Sequence, residues 1–296
     1  MRKIGFIGVG IMGRSMVRNL MKAGYEVHIY ARTKAKVEDV ISEGAVFHDS
    51  IAECVKDRDA VITIVGFPQD VEEVYFDSGN ILDSASPGTY LIDMTTTSPM
   101  LAEKIFEEGT KRGFHVLDAP VTGGDTGAKE GTLSILVGGE RQDYEACLRL
   151  FEAMGTKINY EGKAGSGQHC KLANQIMIAG TLSGVCEALT YAKEKGLDPD
   201  TFMKSVATGA AGSRQLDLYG AKIIAGDYAP GFFMKHFIKD MKLALIEANK
   251  SSIDLGVLSQ VLANCEELEA EGCGELGTQA LMKFYDEEHR YSGEEE

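Results

Sequence analysis

Three glycines near the start of the chain constrain its fold more than any other feature. Residues 3–32 read KIGFIGVGIMGRSMVRNLMKAGYEVHIYAR, in which an apolar run leads into Gly8-x-Gly10-x-x-Gly13 and a second apolar run follows an amphipathic stretch. Apolar residues of that stretch recur at the spacing of one helix face, namely Met12, Met16, Val17 and Leu20. This order predicts a strand, a glycine turn, a helix and a second strand.

Each glycine in the turn is required for a physical reason. Gly8 permits a tight turn, Gly10 lets the backbone approach a pyrophosphate, and Gly13 lets the helix pack closely on the strand. The free N–H groups and the positive end of the helix would face the phosphates. We therefore predict a dinucleotide site whose contacts are Gly8, Gly10, Ile11, Met12 and Gly13.

The residues after the second strand bear on the choice of cofactor. An NAD site commonly has an acidic side chain there for the ribose hydroxyls, whereas residues 30–36 read YARTKAK, without Asp or Glu. Arg32 and Thr33, with Lys36 one turn into the next predicted helix, are suited to hold a 2′-phosphate by charge-assisted hydrogen bonds. We predict that NADP(H) is preferred and that NAD(H) is the alternative; in the other interpretation these basic residues only solvate a helix start.

Composition excludes several classes of protein. With 296 residues, 44% hydrophobic and 25% charged, the chain has the make-up of a globular protein of about two domains. A net charge of −15 argues against nucleic acid or an anionic membrane as a partner. The six histidines form no H-x-H or HExxH pattern, so we predict no metal site.

Cysteine usage and the first residues bear on location. The six cysteines include no C-x-x-C pair, which is typical of free thiols in a reducing compartment. The basic start resembles a signal peptide, but Arg14 and Arg18 interrupt the apolar run and no small-x-small cleavage site follows. No uncharged apolar segment has bilayer-spanning length, and we expect a cytoplasmic protein.

Alternating strand and helix patterns continue to about residue 160. Further strands are predicted at 59–65, 89–94, 114–121, 132–139 and 157–162. They indicate a Rossmann-type, doubly wound, mostly parallel sheet within a first domain, residues 1–163. Ligands bind at the carboxyl ends of such strands, which directs attention to the loops containing Val65 and Gly66, Thr96, and the Thr122-Gly123-Gly124 turn.

Past Gly165 the strand patterns end. A long interdomain helix is predicted over 166–195, and an all-helical second domain over 164–296, for substrate binding and oligomerisation. Its further helical segments are 198–208, 213–225, 235–252, 257–270 and 275–290, followed by an acidic tail at 293–296 that we expect to be disordered. Small residues at 179, 180, 183 and 184 line one face of the long helix, which favours a close helix crossing in a homodimer or homotetramer.

A lysine at the start of that helix is the candidate proton donor. A lone helical lysine is usually a solvated side chain. Lys171, however, lies at the domain junction among apolar or weakly polar neighbours, with Asn174 and Gln175 one helical turn away. A lysine in a partly dry site can have its pKa lowered towards neutrality and donate a proton.

Four ordered segments resemble the β-hydroxyacid dehydrogenase family. They are GFIGVGIMG at 5–13, DAPVTGGDTGAKEGTL at 118–133, GSGQHCKLANQ at 165–175 and FIKDMKLAL at 237–245. The resemblance implies an NAD(P)-dependent oxidoreductase that interconverts a small carboxylate-bearing hydroxy acid and its semialdehyde or glyoxylate-like aldehyde.

The same resemblance implies roles for single residues. Lys171 would be the general acid and base, assisted by Asn174 or Gln175. Thr122, Gly123 and Gly124 would bind the substrate carboxylate, and Thr96 and Lys239 would contact the cofactor near the nicotinamide. Two positions depart from the family pattern, because Thr122 replaces a serine and Gln175 replaces a helper asparagine.

Three other functions remain open at the level of sequence. A 6-phosphogluconate dehydrogenase would have a longer helical half and a histidine near the lysine, where Ala173 and Asn174 stand. An imine reductase would share the fold and NADPH but usually lacks the lysine. A non-catalytic NADP-binding module would need neither Lys171 nor the glycine loop at 122–124.

Overall fold

A computed structural model describes residues 1–285 of the chain. The chain divides into two compact units, Met1–Lys171 and the residues from Leu172 onward. The predicted tail at 293–296 and the end of the helix predicted over 275–290 lie outside the described residues.

The first unit alternates strands and helices as the sequence pattern predicts. Its strands are β1 (Lys3–Ile7), β2 (Glu26–Tyr30), β3 (Val46–Phe47), β4 (Ala60–Thr63), β5 (Tyr90–Asp93), β6 (His115–Asp118), β7 (Val121–Thr122), β8 (Leu133–Gly139) and β9 (Gly155–Gly162). Its helices are α1 (Ile11–Lys22), α2 (Glu38–Ser42), α3 (Ile51–Val55), α4 (Pro68–Phe76), α5 (Ile81–Ser84), α6 (Pro99–Lys111), α7 (Gly124–Glu130) and α8 (Arg141–Glu152).

These strands form one sheet that is mostly parallel. Among the described residues it has nine strands in the order β3-β2-β1-β4-β5-β6-β8-β7, with β9 beside β8. Strands β3 to β6 run parallel, while β8 is antiparallel to β6 and β7. The chain leaves β1 in one direction along the sheet and returns to its other side at β4, so the strand order reverses between them. The predicted doubly wound Rossmann-type fold is confirmed.

Helices cover both faces of this sheet. On β1, Ile4 and Phe6 belong to the core cluster that includes α1 and α8, whereas Ile7 belongs to the cluster that includes α3, α4 and α6. Strand β4 alternates in the same way, with Ile62 in the first cluster and Val61 in the second. Burial on both faces explains why these central strands read as continuous apolar runs.

Two local predictions for the first unit are wrong. The strand predicted over 114–121 is broken after Asp118, because Pro120 has no N–H and a fixed φ, and the chain passes from β6 to β7, which pairs with β8 only. Lys36 was expected one turn into a helix. It ends a 3₁₀ turn, Lys34–Lys36, that precedes α2.

The second unit is helical. The long helix α9 (Ser166–Glu194) runs through the boundary between the units, and α10 (Pro199–Val206), α11 (Arg214–Ile224), α12 (Met234–Lys250) and α13 (Gly256–Ala270) follow. The segment Thr278–Tyr285, inside the helix predicted over 275–290, is a 3₁₀ helix. Asp198 and Ser213 begin α10 and α11 by accepting backbone N–H groups with their side chains, as N-cap residues do.

Helix α9 is long and apolar. By length and composition alone it is sufficient to cross a membrane. Leu172, Ala179, Leu182 and Cys186 of this helix are buried in the core of the second unit. A core helix passes the same test of length and composition.

Candidate active site

The glycine turn after β1 leaves space for a ligand where the fingerprint requires it. Gly8 has φ +99°, and a Cβ there would lie 2.0 Å from the carbonyl oxygen of Ile64. A Cβ at Gly13 would lie 2.0 Å from the carbonyl oxygen of Gly8, whereas one at Gly10 would meet nothing within 4 Å. Gly8 and Gly13 are therefore fixed by internal packing, and the open side of Gly10 is the approach for a pyrophosphate.

The start of α1 carries no internal anion. Gly10 caps the helix without a side-chain hydrogen bond, and the first turn contains no acidic residue. Ile11 is 49% exposed and Met12 is half-buried. Free N–H groups at the positive end of a helix bind phosphate, so this end fits the phosphates of a dinucleotide.

The carboxyl ends of the central strands lie in one row beside this turn. Ile7 pairs in register with Thr63, Thr63 with Asp93, and Asp93 with Asp118. The backbone N–H of Val65 donates to Oγ1 of Thr95 at 3.0 Å, which joins the loops after β4 and β5. The predicted contacts Val65, Gly66 and Thr96 thus lie in loops that leave the sheet at the same edge as the glycine turn.

Arg32 lies beside two carboxylates that the sequence analysis did not single out. Its Nη2 donates to Oδ1 of Asp70 at 2.6 Å and to Oε2 of Glu73 at 3.1 Å, both on α4. Thr33 and Lys36 are exposed and flank the 3₁₀ turn. Asp70 and Glu73 are far from Arg32 in sequence, so only the pairing of strands that brings α4 beside β2 could have indicated them.

A buried carboxylate also stiffens the loop after β5. Oδ1 of Asp93 accepts hydrogen bonds from Oγ1 of Thr63 at 2.8 Å and from the backbone N–H of Thr95 at 3.1 Å. Burial raises the pKa of Asp93 to about 6. The hydrogen bonds hold the start of the loop that contains Thr96.

The first turn of α9 is anchored to the same edge of the sheet. Oδ1 of Asp118 accepts from the backbone N–H of Gly165 at 2.8 Å, and Oδ2 accepts from that of Gln168 at 2.9 Å. The Gln168 side chain donates to the carbonyl of Thr95 at 2.8 Å and accepts from the N–H of Thr97 at 2.9 Å. Asp118 and Gln168 were missed by the sequence analysis, although both stand inside the segments that carry the family resemblance.

Lys171 follows Gln168 by one helical turn and is 7% exposed. This low exposure agrees with a lysine in a partly dry site and not with a solvated side chain. Because Gln168 is fully buried and bonded at both ends of its amide, the backbone that carries Lys171 is held in place.

The Thr122-Gly123-Gly124 turn presents backbone N–H groups at the surface of the first unit. Thr122 ends β7 and pairs with Ser134, and the two glycines have φ of 132° and 66°. A Cβ at Gly124 would meet nothing within 4 Å. Two successive residues with positive φ favour glycine strongly, and such a turn can direct N–H groups at an anion.

In the second unit, the carboxamides of α9 connect to α12. Nδ2 of Asn174 donates to Oε1 of Gln175 at 2.7 Å, and Nε2 of Gln175 donates to Oδ2 of Asp240 at 2.7 Å. Nζ of Lys239 lies 3.0 Å from Oδ1 of Asp240, which is 1% exposed. The predicted residues Asn174, Gln175 and Lys239 are therefore brought together by Asp240, which the sequence analysis missed.

Comparisons with known proteins identify the family. Residues 3–162 match the family described as the NAD binding domain of 6-phosphogluconate dehydrogenase, and residues 165–285 match that described as NAD-binding of NADP-dependent 3-hydroxyisobutyrate dehydrogenase. The chain is 47% identical over 284 residues to the uncharacterized oxidoreductase YkwC of Bacillus subtilis, covering 96% of this chain and 99% of that one. It is 35% identical over 285 residues to the 2-hydroxy-3-oxopropionate reductase of Escherichia coli, covering 95% and 96%. The chain belongs to the β-hydroxyacid dehydrogenase family.

A solved structure extends the likeness to three dimensions. The 3-hydroxyisobutyrate dehydrogenase of Mycobacterium tuberculosis with L-serine has a TM-score of 0.85 and 26% identity, covering 96% of this chain and 98% of that one. The chain is thus a β-hydroxyacid dehydrogenase with a nicotinamide cofactor, as the resemblance of the four segments implied.

The residues expected in this β-hydroxyacid dehydrogenase divide between the two units. The first unit contains Thr122 to Gly124, Lys171 and every expected cofactor contact except Lys239, whereas Asn174, Gln175 and Lys239 belong to the second unit. No group of three or more His, Cys, Asp or Glu side chains arranged for a metal ion occurs within residues 1–285.

Proposed function

We propose that this β-hydroxyacid dehydrogenase reduces a small carboxylate-bearing aldehyde with NADPH, and oxidises the hydroxy acid in the reverse direction, with Lys171 as general acid and base. The observation that carries the proposal is the placement of Lys171. It is buried and follows Gln168, whose side chain is bonded to the loop after β5. That loop follows β5, whose carboxyl end lies at the same edge of the sheet as the dinucleotide turn after β1.

The chemistry divides between the cofactor and the protein. A bound reduced nicotinamide supplies hydride to the carbonyl carbon of the aldehyde. Negative charge develops on the carbonyl oxygen, and Nζ of Lys171 donates the proton that converts it to a hydroxyl. In oxidation the same nitrogen accepts the hydroxyl proton. Proton transfer by a positioned group contributes about 10²–10⁴ in rate.

The substrate carboxylate needs a fixed partner so that one face of the carbonyl meets the cofactor. We assign this to the Thr122 hydroxyl and the N–H groups of Gly123 and Gly124, since the two glycines have positive φ and are exposed. The names of the similar proteins support the substrate class, because 2-hydroxy-3-oxopropionate and 3-hydroxyisobutyrate each carry the reacting oxygen on C3, counting the carboxylate carbon as C1.

The preference for NADPH is inferred from the basic residues after β2. Arg32, Thr33 and Lys36 are exposed on the loop where the ribose of a dinucleotide lies in this fold. No acidic residue occurs between Tyr30 and Lys36. A clear preference for NADH in kcat/KM would contradict this assignment.

A screen of short aldehyde acids with NADPH and with NADH tests the activity, and Lys171→Ala tests the mechanism. We expect Lys171→Ala to lower kcat about 10²–10⁴-fold while the Kd of NADPH stays within twofold, roughly the scatter of such measurements. The matched control is Lys163→Ala, an exposed lysine shortly before the same helix, which should keep full activity.

Near-normal turnover of Lys171→Ala would contradict the mechanism. Tight NADPH binding by the wild-type chain without turnover across the whole panel would instead support the non-catalytic NADP-binding module.

A further inference from the structure

The carboxylates beside Arg32 both bind the same nitrogen. Nη2 carries two N–H groups, and it donates one to Asp70 and the other to Glu73. Among the described residues, Nε and Nη1 of Arg32 donate no hydrogen bond to a protein atom. The pairing is therefore concentrated at one atom of the guanidinium.

That atom matters for phosphate recognition. A guanidinium forms bidentate pairs through two edges, Nη1 with Nη2 and Nε with Nη2. Nη2 belongs to both edges. While Asp70 and Glu73 hold it, Arg32 has only single donors left for a phosphate, and a bidentate contact requires that at least one carboxylate be displaced.

Asp70 is the fixed member of this cluster. Its Oδ2 accepts the backbone N–H of Phe67 at 3.0 Å, which caps the start of α4. Its side chain is 21% exposed, whereas the side chain of Arg32 is 64% exposed. Arg32 can therefore turn towards a ligand, but Asp70 stays beside it.

The charge of the cluster also opposes a phosphate. One guanidinium faces two carboxylates, so the cluster carries a net negative charge even though Arg32 is cationic. A 2′-phosphate bound at Arg32 would lie within the range over which such charges repel it.

From this geometry we propose that Asp70 and Glu73 are specificity-determining residues. They compete with the 2′-phosphate for Arg32 and reduce the preference for NADP(H) over NAD(H) below the level that Arg32, Thr33 and Lys36 would give by themselves. The inference rests on the proposed role of Arg32 in the NADP(H) preference.

Binding of the adenosine half of each cofactor tests the inference without any turnover. The probes are 2′,5′-ADP, which carries the 2′-phosphate, and 5′-AMP, which lacks it, measured by titration calorimetry on the full chain. We expect the double variant Asp70→Asn, Glu73→Gln to bind 2′,5′-ADP about tenfold more tightly, which corresponds to about 1.4 kcal/mol. Its affinity for 5′-AMP should change less than about twofold, because the adenosine 5′-phosphate contacts the glycine turn instead.

Glu72→Gln is the matched control. Glu72 neighbours Glu73 on α4, but it pairs with Nζ of Lys104 at 2.7 Å. Removing this charge should leave both affinities within about twofold of the wild type, because Glu72 is exposed and pairs with Lys104 instead of Arg32. Asp70→Asn retains a side-chain oxygen that can accept the Phe67 N–H, so α4 should remain capped. Thermal unfolding of each variant checks that the fold is kept.

The variant Arg32→Ala separates this inference from the cofactor proposal. If Arg32→Ala weakens 2′,5′-ADP binding and the double carboxamide variant does not tighten it, the role of Asp70 and Glu73 is overturned while the cofactor preference stands. If Arg32→Ala leaves both affinities unchanged, the proposed NADP(H) preference fails together with the inference.

Discussion

Helices α1 and α9 both begin in glycine-rich segments, and their first turns are used in opposite ways. Helix α1 begins after Gly8-Val9-Gly10 with no side-chain cap and no acidic residue in its first turn. Helix α9 begins after Gly165, and the carboxylate of Asp118 accepts the N–H groups of Gly165 and Gln168.

The difference shows what makes a helix start a ligand site. The first N–H groups of any α-helix have no acceptor within the helix, and its N-terminal end carries a partial positive charge. At α9 the protein supplies the anion from its own sheet, and the helix end becomes a rigid support for Lys171. Within residues 1–285 no side chain caps the start of α1, and we propose that this helix end binds the phosphates of the cofactor.

Substituting one glycine in each helix start gives the strongest test of this contrast. A Cβ at Gly167 would lie 2.3 Å from the carbonyl oxygen of Leu136, whereas one at Gly10 meets nothing within 4 Å. We expect Gly167→Ala to lower the free energy of unfolding by about 3 kcal/mol, as severe overpacking does. Gly10→Ala should leave stability within about 0.5 kcal/mol, as exposed substitutions do, and should weaken NADPH binding. Denaturant unfolding and cofactor titration measure the two effects.

The opposite pattern, a stable Gly167→Ala variant and an unfolded Gly10→Ala variant, would show that the two helix starts have been assigned the wrong roles.

Removing the charge of Asp118 should have the next largest effect on stability and activity. In Asp118→Asn one carboxylate oxygen becomes an amide group, so one buried N–H of α9 loses its acceptor, at a cost of about 1–3 kcal/mol in unfolding free energy. Because Lys171 follows the anchored turn, kcat should fall while the Kd of NADPH stays unchanged. Asp125→Asn, an exposed aspartate on α7, is the control.

If Asp118→Asn lowered stability but left kcat and its pH profile untouched, Asp118 would support the fold without positioning Lys171. Recovery of activity in Asp118→Glu would argue for positioning.

The smallest expected effect concerns a third glycine-rich helix start, at α7. Thr122→Ser removes only a methyl group, and kcat/KM should stay within about threefold, since volume changes of one methyl cost little at a partly exposed site. Thr122→Val removes the hydroxyl and should lower kcat/KM about tenfold, the value of one hydrogen bond to a charged group. Steady-state kinetics with the preferred aldehyde acid decides between them, and equal activity of the two variants would mean that the hydroxyl does not bind the carboxylate.

The parts of the proposed site that the sequence could indicate are those whose signal lies within one short segment. Gly8, Gly10 and Gly13 act through the backbone of one turn, so their spacing is sufficient to indicate the dinucleotide site. Lys171 could be singled out because the segment around it is unusual for a solvated helix. The sheet was predictable for the same reason, since strands buried on both faces read as apolar runs.

The missed parts are partnerships between distant residues. Asp118 binds Gln168 because β6 ends beside the start of α9. Arg32 binds Asp70 because the loop after β2 lies beside α4. Gln175 binds Asp240 because α9 packs beside α12 at that point. A carboxylate on a helix reads as a solvated charge until its neighbour is known.

By itself the sequence determined the doubly wound sheet, the helical second unit, the dinucleotide turn and the family, because each depends on local periodicity or on backbone freedom at particular glycines. Only the tertiary structure decided which helix start keeps its positive end for a ligand and which is neutralised from within. It also decided that the guanidinium expected at a 2′-phosphate is already held by Asp70 and Glu73. The reason is physical: a hydrogen bond or an ion pair depends on distance in space, and the strand order of the sheet sets those distances for residues that are far apart in the chain.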